Sequence, residues 1–129
     1  MKKKIATTNA PQAIGPYSQA IQSGNLLFIS GQIPLDPQTG QLVQGDIEVQ
    51  TKRVMENLAA IAEAAGMSLA DALKASCFLK SMEDFGKFNG VYATYFGDTP
   101  PARETVEVAR LPRDVLVEVS LICGSCPGR

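Results

Sequence analysis

Two residues in the C-terminal third carry charge into an otherwise apolar setting. Arg103 stands on a strand that begins directly after Pro100-Pro101, and Glu118 stands between Val117 and Val119. A guanidinium fork matches a carboxylate in geometry as well as charge, so Arg103 reads as a clamp on a small carboxylate-bearing molecule. The plainer reading is an exposed strand arginine, or one paired internally with Glu107 or Glu118. Partial burial of Glu118 would raise its pKa and suit it to proton transfer. Its plainer reading is a solvated residue on the polar face of an amphipathic strand. Tyr17, after Gly15-Pro16, and Ser30-Gly31, at a strand end, add places where backbone can approach a ligand closely, although turns need the same residues. The Cys123-Gly-Ser-Cys126 tail offers two thiols. A structural zinc site takes four ligands, and only Cys77 remains to join them, so the motif reads as a tail rather than a metal or redox centre.

An absence narrows the chemistry further. The chain has no histidine. Ser-His-Asp and Cys-His nucleophiles are therefore excluded, as are the commonest catalytic zinc sites. Acid–base work must fall to Glu, Asp, Tyr, Lys or the backbone. Net charge is -1 and the pI about 5.4, which gives no pull toward nucleic acid or an anionic membrane. Lys2, Lys3 and Lys4 form the only basic run. No phosphate-cradling loop or dinucleotide fingerprint is present. No apolar stretch approaches the roughly 18–20 residues that span a bilayer, and no apolar region follows the N-terminal lysines as in a secretory signal. Three cysteines do not make a disulfide framework, so a reducing cytoplasm is the expected setting.

The elements that must position these residues are legible in outline. The 129 residues fit one domain, 1–129, with a tail over 124–129. Strands are expected over 2–7, 18–23, 26–31 and 73–80. The first long helix spans 47–65, with Val54, Leu58, Ile61, Ala62 and Ala65 on one face and Gly66 as its stop. A short turn or helical segment is expected over 68–72. The second helix spans 83–96, with an aromatic stripe of Phe85, Phe88, Tyr92, Tyr95 and Phe96 that reads as helix–sheet core. Strands over 102–110 and 115–123 read as a final hairpin turning at Leu111-Pro112-Arg113-Asp114. In that register Glu107 lies opposite Glu118 and Thr105 opposite Ser120, which puts Arg103, Thr105, Glu118 and Ser120 on one surface. The sum is an α+β domain: a mixed six-stranded sheet with two helices on one face. Nothing is left in the chain to cover the other face, which points to a second subunit.

Three spaced motifs carry a resemblance over about residues 4–123. Gly15-Pro16-Tyr17-Ser18-Gln19-Ala20, Phe28-Ile29-Ser30-Gly31-Gln32-Ile33-Pro34, and Pro101-Ala102-Arg103 with Val106-Glu107-Val108-Ala109-Arg110-Leu111-Pro112 resemble the RidA (YjgF) family of reactive imine deaminases. The resemblance implies a chorismate-mutase-like fold, a homotrimer with clefts between subunits, and no cofactor or metal. It implies hydrolysis of 2-imino acids (2-aminoacrylate/2-iminopropanoate and 2-iminobutanoate) to 2-keto acids and ammonia. Position by position, it makes Arg103 the carboxylate anchor and Glu118 the acid that holds or activates water. It makes Tyr17 an aromatic lining the cleft, Ser30 and Gly31 strand-end residues beside the ligand, and Asn89 a second-helix residue near the site. Thr105 stands where many members have Cys, Glu104 where Ser is frequent, and Ser120 where a second Glu is frequent. A backbone N–H at Thr105 would still serve the ligand, but thiol regulation there would not survive. Two rivals stand beside it: a regulatory protein that binds small carboxylates in the same cleft without turnover, and an endoribonuclease. The near-neutral charge and missing histidines weigh against the second.

Overall fold

The computed structural model describes residues 1–125. The Cys126 half of the C-terminal Cys-x-x-Cys motif lies outside them. Six strands run β1 (Lys2–Ile5), β2 (Ala20–Ser23), β3 (Leu26–Gln32), β4 (Ala72–Leu79), β5 (Ala102–Glu107) and β6 (Val117–Gly124), with helices α1 (Ile47–Ala64) and α2 (Phe85–Ala93). They form one mixed sheet in the order β1-β2-β3-β6-β4-β5. Every pairing is antiparallel except β4 with β5, which is parallel.

Alternation sorts the sheet into two faces. Leu27, Ile29, Ala75, Cys77, Leu79, Val117, Val119, Leu121 and Cys123 are buried on one face, beneath Val54, Met55, Leu58, Ile61 and Ala62 of α1 and Phe88 and Tyr92 of α2. The other face carries Ile21, Phe28, Phe78, Val106 and Ile122. Phe28 is 44% and Val106 43% exposed, with nothing among the described residues over them.

Local chemistry sets the helix ends. The Asp46 carboxylate accepts the Val49 N–H at 3.1 Å, which caps the start of α1. Gly66, at φ 77°, turns the chain out of the helix while the Met67 N–H closes on the Ala62 carbonyl. The second helix is shorter than its aromatic spacing predicts. Its entry, Met82–Asp84, is a 3-10 turn. At the exit, Thr94 and Tyr95 donate to the carbonyls three residues back rather than four, so the last turn tightens and Phe96 falls outside it.

The predicted final hairpin is not formed. β4 lies between β5 and β6: Thr105 pairs with Cys77 and Cys77 with Val119, while Ser76 pairs with both Glu104 and Ser120. The segment 108–116 steps over the end of β4, where the Val108 N–H donates to the Leu79 carbonyl and the Lys80 N–H to that of Leu116. Buried Leu111 and Val115 tie this connection down. Arg113 and Asp114, both with φ near 55–58°, turn it through the left-handed region.

Candidate functional site

β5 is an edge strand, and Arg103 stands on its helix-covered side, in the cross-strand row of buried Ala75 and Leu121. Its guanidinium donates to Asn89 Oδ1 at 2.7 Å. The guanidinium carbon lies 4.9 Å from the Tyr92 ring centroid, 5.5 Å from Phe85 and 6.0 Å from Phe88. The aromatic stripe is therefore core on one side and a seat for Arg103 on the other, a use that its helical spacing did not announce. Ion pairs among the described residues join Lys74 to Glu104 and Arg110 to Asp114, and none involves Arg103. A half-buried cation held on aromatic faces, with most of its donors free, is poised for an anion. A cavity of about 370 Å³ opens beside it, lined by Asn89, Tyr92, Ala93, Phe96, Gly97, Pro100, Pro101 and Arg103.

Thr105 neighbours Arg103 on the same side of the strand. Along β5 successive N–H groups point to opposite edges. The Val108 N–H is spent on β4, so by alternation the Thr105 N–H points outward from the sheet edge. Among the described residues the buried Thr105 hydroxyl has the Cys77 thiol beside it, and the buried Tyr92 hydroxyl has no hydrogen-bond partner. Burial pushes the Cys77 thiol up to about 11 despite the opposing pull of Arg103, so it is not a thiolate at neutral pH. Cys123 is pushed up to about 11 by the same cause.

Tyr17, Ser30, Gly31 and Glu118 gather elsewhere. β3 carries one extra residue between Ile29 and Gln32: Ile29 pairs with Leu121 and Gln32 with Val119, leaving Ser30 and Gly31 opposite Ser120. This β-bulge turns Gly31 toward the open face. The Glu118 carboxylate lies directly against the Gly31 Cα, where an added Cβ would come within 2.9 Å of Glu118 Cδ and closer still to its oxygen. The glycine is needed here for space. Glu118 is half-buried, and desolvation raises its pKa above the ordinary carboxylate range. No hydrogen bond or ion pair among the described residues engages it. The Ser30 hydroxyl donates to the Ser18 carbonyl at 2.6 Å, and the Ser30 N–H to that of Gln19 at 3.0 Å, so the bulge is tied to the loop bearing Tyr17. That loop is held in turn by buried Gln19, whose amide bonds Thr7, Ala10 and Pro11. Tyr17 is half exposed beside Gly31, in a cavity of about 260 Å³. Nothing in the sequence singled out Gln19 as the brace of this loop, although it stands inside the first motif.

The seven expected site residues thus form two groups on opposite faces. Arg103, Asn89 and Thr105 lie on the helix side. Tyr17, Ser30, Gly31 and Glu118 lie on the open side. The shared surface expected for Arg103 and Glu118 does not exist, because β4 intervenes and sets them out of register. The two Cα positions are two strands apart, roughly 9–10 Å, and three residues along, roughly 10 Å. Glu104 and Ser120 do share a row, through Ser76, whose hydroxyl donates to Glu104 at 2.6 Å. Lys74 pairs with the same carboxylate at 3.0 Å, and these contacts hold Glu104 below the ordinary range.

Substituting Gly31 by alanine displaces the end of a flexible side chain rather than backbone. The expected result is a folded protein, with melting temperature within a few degrees of the parent (about 1 kcal/mol or less). Whatever turnover depends on Glu118 should fall at least about tenfold, because that carboxylate loses its place. Full activity in the alanine variant would show that this packing has no bearing on catalysis.

Known proteins resemble the chain over nearly its whole length. The family model described as endoribonuclease L-PSP matches residues 7–124. A RutC family protein of Pyrococcus horikoshii is 61% identical over 122 residues, 95% of this chain and 97% of its own. The 2-iminobutanoate/2-iminopropanoate deaminase of Escherichia coli is 46% identical over 125 residues, again 95% and 97%. The crystal structure of Escherichia coli TdcF with bound serine superposes with a TM-score of 0.92 at 42% identity, covering 96% of this chain and 99% of that one.

Proposed function

The chain belongs to the endoribonuclease L-PSP family, the RidA (YjgF) group that its three motifs resemble, and from that premise we propose that it hydrolyses 2-imino acids to 2-keto acids and ammonia. The observation that carries this reading is the unpaired Arg103 guanidinium, seated on aromatic rings and open to a carboxylate. Relatives add weight: one at 46% identity bears the deaminase name, and a structural neighbour holds serine, itself a carboxylate.

Arg103 and the outward Thr105 N–H bind the carboxylate of 2-iminopropanoate or 2-iminobutanoate. Glu118, Gly31 and Tyr17 complete the site from another copy of the chain, because within one copy they face away from Arg103. The assembly is a homotrimer, which also covers the open sheet face. Glu118 holds a water against the imine carbon. The water adds across the C=N bond, a proton moves to nitrogen, and the carbinolamine expels ammonia to leave the keto acid. The imine is reactive already, so positioning and proton transfer suffice, and no metal or cofactor is needed. Two of the three thiols, Cys77 and Cys123, are free and buried, in keeping with work in the cytoplasm.

The direct test generates imines with an amino-acid oxidase and follows their decay. Decay should quicken in proportion to added protein, for imines from alanine and from 2-aminobutanoate. Decay no faster than in buffer would refute the reading, and RNA cleavage surviving Arg103→Ala would favour the nuclease instead. Among the described residues no helix is long and apolar enough to cross a membrane.

A further inference from the structure

On the outer face of α1 two opposite charges stand within one turn of each other and do not meet. Arg53 and Glu56 are three residues apart, close enough for an ion pair, yet among the described residues none joins them. Each is held by a neutral partner instead. Arg53 Nε donates to Asn57 Oδ1 at 3.1 Å, and fully buried Asn57 is itself fixed by the Leu35 carbonyl at 3.0 Å. The Glu56 carboxylate accepts the Tyr95 hydroxyl at 3.0 Å. Burial first, and then this contact, pushes Tyr95 up to about 12, so it stays a donor at neutral pH. The terminal guanidinium nitrogens and the second carboxylate oxygen are left over. Both side chains border a cavity of about 550 Å³, lined by Ala59 and Ala60 on the helix side and by Thr7 and Asn9 on the other. Glu63 borders it too, on the same helix face, two turns and about 10 Å beyond Glu56. No ion pair among the described residues engages Glu63.

The cavity therefore offers, in order along the helix, a cation, a carboxylate and a second carboxylate. Charges fixed in this order complement a molecule that carries their opposites. A carboxylate with an ammonium on the adjoining carbon suits Arg53 and Glu56, which lie about 4.5 Å apart along the axis. A second ammonium, on a chain reaching about 6 Å, approaches Glu63, whose exposed side chain spans the rest. We propose that this cavity is a second small-molecule site, separate from that of Arg103, and that it binds a free basic α-amino acid of the lysine kind. The carboxylate goes to Arg53, the α-ammonium to Glu56 and the side-chain ammonium to Glu63. None of these residues takes part in the hydrolysis proposed above, so the two readings stand or fall separately.

The experiment titrates the Arg103→Ala protein, whose other carboxylate site is disabled, and follows amide chemical shifts at low ionic strength. The probes are L-lysine and three analogues that each lack one charged group. Cadaverine lacks the carboxylate, 6-aminohexanoate the α-ammonium and norleucine the side-chain ammonium. L-Lysine should bind with a Kd in the millimolar range and move the amides of Asn57 and Ala60, and the same shifts should appear in the parent. Each analogue should bind about threefold or more weakly, the worth of one exposed charge contact. Each substitution should cancel its own discrimination and leave the other two. Arg53→Gln should make lysine equal to cadaverine, Glu56→Gln to 6-aminohexanoate, and Glu63→Gln to norleucine. These side chains lie on the outer face of the helix, and melting temperatures check that every variant is folded. Failure of lysine to bind the Arg103→Ala protein, an affinity matched by any one analogue, or affinities unmoved by the three substitutions would overturn the proposal.

Discussion

Replacing Arg103 with alanine is expected to lower kcat/KM for imine hydrolysis by about 10²–10⁴-fold. The figure follows from two charge-assisted hydrogen bonds to a carboxylate, at roughly 1.5–3 kcal/mol each, converted at about 1.4 kcal/mol per tenfold. Stability should hardly move. Among the described residues Arg103 has one side-chain hydrogen bond and no ion pair, and stacking on Tyr92 contributes about 1 kcal/mol. Arg103→Lys keeps the charge but loses the planar fork and the Asn89 geometry, so it should recover only a small part of the loss. Keto-acid binding by calorimetry should weaken in step with turnover. An alanine variant with full activity would remove the anchor role and the reading built on it.

The second large effect belongs to Glu118. Glu118→Gln is expected to reduce turnover by about 10²–10⁴-fold at neutral pH while keto-acid binding persists, the pattern of an enzyme rather than of a carboxylate sensor. Desolvation raises the Glu118 pKa. Parent activity should therefore fall on the acid side with a midpoint above the usual carboxylate range, and the glutamine variant should lack that limb. Stability runs the other way. A carboxyl with a raised folded-state pKa stabilises while protonated, and that contribution is lost as pH rises through the folded-state value. Glutamine should thus raise the melting temperature at neutral pH, with the difference shrinking in acid. The opposite faces of Arg103 and Glu118 add a sharper test. Arg103→Ala and Glu118→Gln subunits, each inactive alone, should regain about a quarter of parental activity when unfolded together and reassembled in equal amounts, because one interface in four then pairs two intact halves. No recovery, in mixed assemblies confirmed by mass, would place the whole site within one copy and contradict the geometry.

Much of this was readable before any coordinates. The period of Val54, Leu58 and Ile61 locates α1 to within a residue of Ile47–Ala64, because an apolar stripe and a glycine stop are local signals. Strand positions followed from alternation. The partner of β5 did not. Two strands joined by a short proline-containing link look the same in sequence whether they pair or a third strand slips between them. What separates the cases is the burial of Leu111 and Val115 and the fit of the 108–116 segment over β4, both of them tertiary. The same error put Arg103 and Glu118 on one surface. Motif resemblance named candidate residues and a cleft between subunits, without saying on which face of one copy each candidate lies. The seat beneath Arg103 was hidden for another reason: Phe85, Phe88 and Tyr92 have the spacing of ordinary core, and only contact with Arg103 shows their second use.

If Glu118 acts as proposed, the bulge at Ser30-Gly31 makes chain length itself a determinant of the site. On either side of it the β3–β6 ladder is in register, with Ile29 on Leu121 and Gln32 on Val119. Deleting Gly31 would leave both of those pairs in place and set Ser30 alone opposite Ser120. The sheet would close into a regular ladder, yet a side chain would stand where Glu118 now rests its carboxylate, and the Ser30 bonds to Ser18 and Gln19 would be displaced. A one-residue deletion thus keeps the flanking ladder while removing the room that the Glu118 carboxylate occupies, and if Glu118 serves the proposed hydrolysis, turnover goes with it.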